Sequence, residues 1–184
     1  MTLEMLRSER TLNAANLLTV MRLALLPVIV WRFSEGDRLG ALAVYVVSML
    51  TDIADGICAR RFNQVTSVGK LLDPLADKLT LLALLALFTA DGQIPGWVLS
   101  VMLGKELLLV LGSGFALRRG VVVHALPIGK ASTLCFVVSM TLRFLQQFRV
   151  ADALLFAAVA LSLAALAHYI VIGADRIRLT QASR

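Results

Sequence analysis

Long apolar runs broken by short polar intervals set the layout of this chain. The runs cover about 14–33, 39–60, 70–90, 95–117, 127–146 and 152–173. Each is close to the ~20 residues that a helix needs to cross a bilayer. The pattern predicts an all-α integral membrane protein with six transmembrane helices in a bundle. Ahead of the first run, Leu3, Met5 and Leu6 alternate with Glu4, Arg7, Glu9 and Arg10. That mixture predicts a short N-terminal interfacial helix over 1–12. No repeat or low-complexity segment divides the chain, so 1–184 is expected to be a single membrane domain.

Charge orients the layout. Six spans put both termini on one side with the 60–70 and 118–130 loops. That side holds eleven lysines and arginines, against Arg32, Arg38, Arg143 and Arg149 on the other. The excess places both termini in the cytoplasm, in a multi-pass protein of the cell inner membrane. Trp31 and Trp97 then fall near the outer interface, as an aromatic belt requires. Composition agrees, with 59% hydrophobic residues, 16% charged and a net charge of +6. In such a chain the positive balance reports topology and contact with anionic lipid headgroups, and no nucleic-acid partner is expected. Cys58 and Cys135 lack metal spacing and read as packing residues, not a disulfide. The first run is too long for a signal-peptide core and reads as a retained span.

One stretch breaks the apolar rule. Residues 52–78 read DIADGICARRFNQVTSVGKLLDPLADK, with Asp52, Asp55, Asp73 and Asp77 at the ends of two predicted helices. The spacings i, i+3 and i, i+4 put each pair on one helical face. Each aspartate well inside a bilayer is unfavourable by roughly 2.5–3.5 kcal/mol, so the set approaches about 10 kcal/mol before mutual repulsion. Cations must offset this. Arg60, Lys70 and Lys78 can supply part, and two hard divalent ions supply it better, because carboxylate oxygens select Mg²⁺ or Mn²⁺. No histidine or cysteine cluster accompanies the acids, which argues against zinc. A bland reading also exists, in which the acids are structural partners of Arg22, Lys78 and Arg60.

Written as a pattern, the stretch is D-x2-D-G-x2-A-R-x8-G-x3-D-x3-D. It resembles the signature of the CDP-alcohol phosphatidyltransferases, with all eight fixed positions present. The resemblance implies transfer of a phosphatidyl group from CDP-diacylglycerol to an alcohol, releasing CMP, at a two-metal site facing the cytoplasm. It implies metal binding by Asp52, Asp55, Asp73 and Asp77, with Asp77 also the catalytic base. It implies CDP contacts from Asp55, Gly56, Ala59, Arg60 and Gly69, and a homodimer among membrane lipids. Gly69 is expected to let the turn close, and Pro74 to sit in the first turn of the third helix.

Flanking stretches narrow the branch. Asn16, Thr19 and Arg22 in NLLTVMR, LLDPLADK, and IGK at 128–130 look like phosphatidylglycerophosphate synthases and the related cardiolipin synthases. Glycerol 3-phosphate is therefore the leading acceptor, bound by Lys130, Arg118 and Arg119. Two departures favour phosphatidylglycerol as the alternative acceptor, and with it a cardiolipin synthase. Ser132 stands where the synthases often carry a second lysine, and Leu109–Ser113 supplies no base after Lys105 and Glu106. Lys105 and Glu106 read either as facing the active cavity or as a structural pair between helices. Outside the family, a cation or proton transporter and a non-enzymatic scaffold are the competing classes. A transporter more often places charge at the midplane of several helices, frequently with repeats.

Overall fold

A helix occupies each of the six apolar runs. The computed structural model describes the backbone of 14–61, 69–118 and 127–182, and the side chains of 20–51, 75–113 and 127–173. The elements are α1 (Ala14–Ser34), α2 (Arg38–Arg61), α3 (Gly69–Ala90), α4 (Gly96–Arg118), α5 (Pro127–Phe144) and α6 (Phe148–Ala182). No strand occurs among the described residues. The interfacial helix expected over 1–12 lies outside them.

Three helix ends explain why the polar intervals are so short. At the end of α1, Gly36 N–H donates to Phe33 O and Asp37 N–H to Arg32 O, both at 3.0 Å. At the end of α3, Gly92 N–H donates to Thr89 O at 3.1 Å and Gln93 N–H to Phe88 O at 2.9 Å. At the end of α5, Gln146 N–H donates to Arg143 O at 3.0 Å and Gln147 N–H to Leu142 O at 2.9 Å. All three are Schellman caps, which satisfy the last carbonyls with a left-handed residue. That residue has φ of 83° at Gly36, 74° at Gly92 and 60° at Gln146. Asp37 then caps α2, its Oδ1 accepting from Gly40 N–H at 2.8 Å.

Three boundaries depart from the apolar pattern. The fifth helix stops at Phe144, two residues before the apolar run ends, because Gln146 turns left-handed. The sixth opens at Phe148, not 152, and continues past Gly173 to Ala182. A bilayer limits the length of an apolar run, not of the helix that carries it. Asp175, Arg176 and Arg178 extend α6 beyond its apolar part.

The chain falls into two compact units with the boundary between Leu84 and Leu85. In the first, α1 packs on α2. Ile29 and Phe33 are buried from one helix, and Ala41, Tyr45 and Ser48 from the other. In the second, α6 packs on both α5 and α4. The α5–α6 seam is built from small residues at a seven-residue repeat. Ala151, Ala158 and Ala165 of α6 are buried, as are Ser132 and Ser139 of α5. Ser132 Oγ donates to Ala158 O at 2.9 Å and Ser139 Oγ to Ala151 O at 2.7 Å. Small side chains let two backbones approach, and the hydroxyls bond the neighbouring carbonyls once they do. Phe88 and Phe144 meet edge to face, with centroids 4.9 Å apart, and Trp97 stacks on Phe156 at 6.0 Å.

Among the described residues, Gly96–Ser113 and Phe148–Gly173 are long and apolar enough to cross a membrane, and α2 adds a shorter apolar stretch, Arg38–Thr51. Only 11% and 28% of the two long stretches is buried. A core helix of a water-soluble protein would be mostly covered. Here Leu103, Leu107, Leu108, Val110 and Leu111 of α4 point outward, an apolar surface that lipid suits and water does not.

Candidate active site

Helix carries both aspartate pairs of the acid-rich stretch. Asp52, Asp55, Gly56, Ala59 and Arg60 lie in the last turns of α2, and Gly69 opens α3, which carries Asp73 and Asp77. On continuous helices the two aspartates of each pair share a face. The side chains of Asp52, Asp55, Ala59, Arg60 and Asp73, and all of residues 62–68, lie outside the described residues. Pro74 sits in the second turn of α3, not the first, because the helix starts at Gly69. Its missing N–H therefore withdraws a bond from the Lys70 carbonyl.

Asp77 is the acid whose surroundings are visible. Its carboxylate Oδ1 accepts from Arg22 Nη1 at 2.5 Å, joining α3 to α1 across 55 residues of sequence. Arg22 is buried, while the Asp77 side chain is more than half exposed. Each is the ninth residue of its helix, about 12 Å along the axis at 1.5 Å per residue. A guanidinium stays charged at any relevant pH, so a buried one requires an anion. The bland expectation that Arg22 pairs with an acid is thus met at Asp77. Of its other cations, Lys78 is half-buried and the Arg60 side chain lies outside the described residues.

The donor set suits divalent metal. Among the described residues no three histidine, cysteine or acidic side chains gather, since three of the four motif carboxylates fall outside that set. The donors are all carboxylates, which is hard-cation chemistry. The one visible, Asp77, is open to solvent and already holds a cationic partner.

The acceptor residues separate. Lys130, in the first turn of α5, is exposed and makes no ion pair among the described residues. Arg118 ends α4, and its side chain and all of Arg119 lie outside the described residues. Ser132 faces α6 and is buried there, so position 132 belongs to the helix seam. Lys105 Nζ and Glu106 Oε1 are 2.6 Å apart, with both side chains 12% exposed. That ion pair joins neighbours on one helix, not two helices.

Arg143 was not singled out by its sequence. It was expected among the outward loop charges, yet it is completely buried in the last turn of α5. It donates to Gln93 O at 2.7 Å and to Asp152 Oδ1. The last turn of a helix favours a cation, which suits Arg143 on α5. The available signal was a basic residue and an acidic one flanking the same short turn.

Comparison with known proteins adds to this geometry. A family model described as CDP-alcohol phosphatidyltransferase matches residues 12–169. The chain is 36% identical over 120 residues to the cardiolipin synthase (CMP-forming) of Streptomyces coelicolor, covering 62% of this chain and 56% of that protein. It is 34% identical over 131 residues to the CDP-diacylglycerol--glycerol-3-phosphate 3-phosphatidyltransferase of Aquifex aeolicus, covering 70% and 74%. The protein of that same description in Bacillus subtilis is 32% identical over 145 residues, covering 70% and 75%. The match to the Streptomyces coelicolor protein thus spans little more than half of that relative's length.

Proposed function

The chain belongs to the CDP-alcohol phosphatidyltransferase family, and from that membership we propose that it makes phospholipid by moving a phosphatidyl group from CDP-diacylglycerol to an alcohol. The acceptor hydroxyl oxygen bonds to the phosphatidyl phosphorus, the bond from that phosphorus to CMP breaks, and CMP leaves. The observation that carries the reading is the placement of the complete motif. Its two carboxylate pairs sit on two consecutive continuous helices, toward the end of α2 and the start of α3, which only residues 62–68 separate.

Two divalent cations, Mg²⁺ or Mn²⁺, held by Asp52, Asp55 and Asp73 with Asp77 beside them, would when bound neutralise the diphosphate and the departing CMP. The remaining roles belong to side chains and backbone. Asp77 takes the proton of the acceptor hydroxyl and passes it to solvent, as its exposure permits. Gly56 and Ala59 leave room for the cytidine along α2, Arg60 bonds the diphosphate oxygens, and Gly69 closes the turn. The six helices act as one membrane domain in the inner membrane, with the site and both termini on the cytoplasmic side and a second copy as partner.

Glycerol 3-phosphate is the leading acceptor, with Lys130, Arg118 and Arg119 as its phosphate ligands. Phosphatidylglycerol is the second reading, favoured by Ser132, whose burial against α6 removes one position from which a cation could reach a phosphate. The test is CMP release by the purified full chain in nanodiscs with CDP-diacylglycerol, Mn²⁺ and each acceptor in turn. Release with glycerol 3-phosphate supports the leading reading. Release with phosphatidylglycerol alone replaces it with the second. No metal-dependent release with either acceptor would remove the enzyme reading and reopen the scaffold and transporter classes.

A further inference from the structure

The Arg22–Asp77 pair is asymmetric in a way that neutralisation does not require. The Arg22 side chain is 4% exposed and the Asp77 side chain 57%. A guanidinium sunk into the protein holds, at 2.5 Å, one oxygen of a carboxylate whose bulk faces outward. A buried arginine is rigidly placed, and its positive charge at Oδ1 fixes that oxygen and opposes a metal cation beside it. The motif supplies four acids for two tasks, gripping metal and receiving a proton, and nothing in the spacing says how they divide. The contact from α1 divides them.

We propose that Arg22 is a positioning residue that reserves Asp77 for the acceptor: by engaging Oδ1 it holds the carboxylate in one orientation and sets a positive charge against a metal cation at that oxygen. The proposal rests on the transferase reading above and adds to it a role for a residue outside the eight-position motif. Arg22 touches neither substrate nor metal in this scheme. Its effect passes through Asp77. A purely structural role would make Arg22 a counter-ion whose loss loosens α1 from α3 and lowers stability, metal affinity and turnover together.

The two roles separate by experiment. Purified full chain is compared with Arg22→Gln and Arg22→Lys for three readouts: Mn²⁺ affinity without substrate, the kcat and KM for CMP release, and Tm in the same detergent. Removing a positive charge and freeing Asp77 should leave Mn²⁺ affinity in Arg22→Gln equal to wild type or up to several-fold tighter. Its kcat should fall at least tenfold, with KM for CDP-diacylglycerol within about twofold. Arg22→Lys, which restores a cation without the planar fork, should recover part of kcat. The proposal is overturned if Arg22→Gln keeps kcat within twofold. It is also overturned if Mn²⁺ affinity falls in step with kcat, or if Arg22→Lys is as inactive as Arg22→Gln at wild-type Tm. Should Arg22→Gln fail to fold, the Lys variant decides alone: weaker Mn²⁺ binding there contradicts the proposal, and undiminished binding with reduced kcat supports it. A wild-type protein that neither binds Mn²⁺ nor releases CMP removes the transferase reading itself, an outcome distinct from any pattern among the variants.

Discussion

Ser132 on α5 donates its hydroxyl to the carbonyl of Ala158 on α6 at 2.9 Å, and Ser139 repeats the contact seven residues on, with Ala151 seven residues back. The two rungs fix the register of an antiparallel pair whose backbones approach over small side chains. A lysine at 132 would enter a closed seam. Ser132→Lys should therefore lower Tm, with overpacking alone costing roughly 1–3 kcal/mol, and should give no added CMP release with glycerol 3-phosphate. Ser132→Ala should cost only about 0.6 kcal/mol, the average for a hydroxyl bond between membrane helices. Thermal unfolding in detergent measures both, and greater glycerol 3-phosphate use by the lysine variant would show that position 132 does reach the acceptor.

Arg143 draws the α5 end, the turn after α3 and the start of α6 onto one guanidinium. Asp152→Ala leaves that buried charge with only the Gln93 carbonyl among its described bonds. The loss should be about 1–3 kcal/mol, the scale for stranding a buried group, tempered by the half-exposed position of Asp152. Chemical denaturation should show it, with the kcat of the folded fraction unchanged. A drop in kcat at equal stability would tie this cluster to the site.

Asp37 caps α2 from the turn after α1 and accepts from Arg32 Nη1 at 2.9 Å. The Gly40 N–H bond first, and the Arg32 contact second, hold its carboxyl below the usual carboxylate range. A depressed folded-state value stabilises the fold above the unfolded-state pKa, and that contribution is lost as pH falls through the folded-state value. Wild type should therefore exceed Asp37→Asn in Tm at neutral pH, with the gap closing as pH drops below the ordinary aspartate range. A gap that widens on acidification would contradict the sign.

Gln146 holds the left-handed position that glycine holds at the other two Schellman caps, with φ of 60°. A side chain there costs roughly 1–2 kcal/mol relative to the right-handed region. Gln146→Gly should raise stability by up to about 1 kcal/mol, after the added backbone freedom of glycine in the unfolded chain is subtracted. Scanning calorimetry of the two proteins measures it.

The six helices were legible because each coincides with a long apolar run bounded by polar residues. Ser34 and Gly96 each fall within one residue of the expected ends. What escaped depended on partners that no local pattern names. Arg143 reads as a loop charge until Gln93 and Asp152 are seen beside it. The seven-residue repeat of Ser132 and Ser139 opposite Ala151 and Ala158 was present as spacing, but only the helix pairing turns it into a seam. At the site, spacing gave the two helices on which the four acids lie. The union of Arg22 with Asp77 required two helices whose first residues lie 55 apart in sequence.

The central claim is that Asp77 receives the acceptor's proton while its neighbours grip metal. It is tested most directly by CMP release from CDP-diacylglycerol in wild type and Asp77→Asn at saturating Mn²⁺ and acceptor. Loss of a general base predicts a fall of about 10²–10⁴ in kcat, with Mn²⁺ still bound and the protein folded. Undiminished CMP release by Asp77→Asn would contradict it.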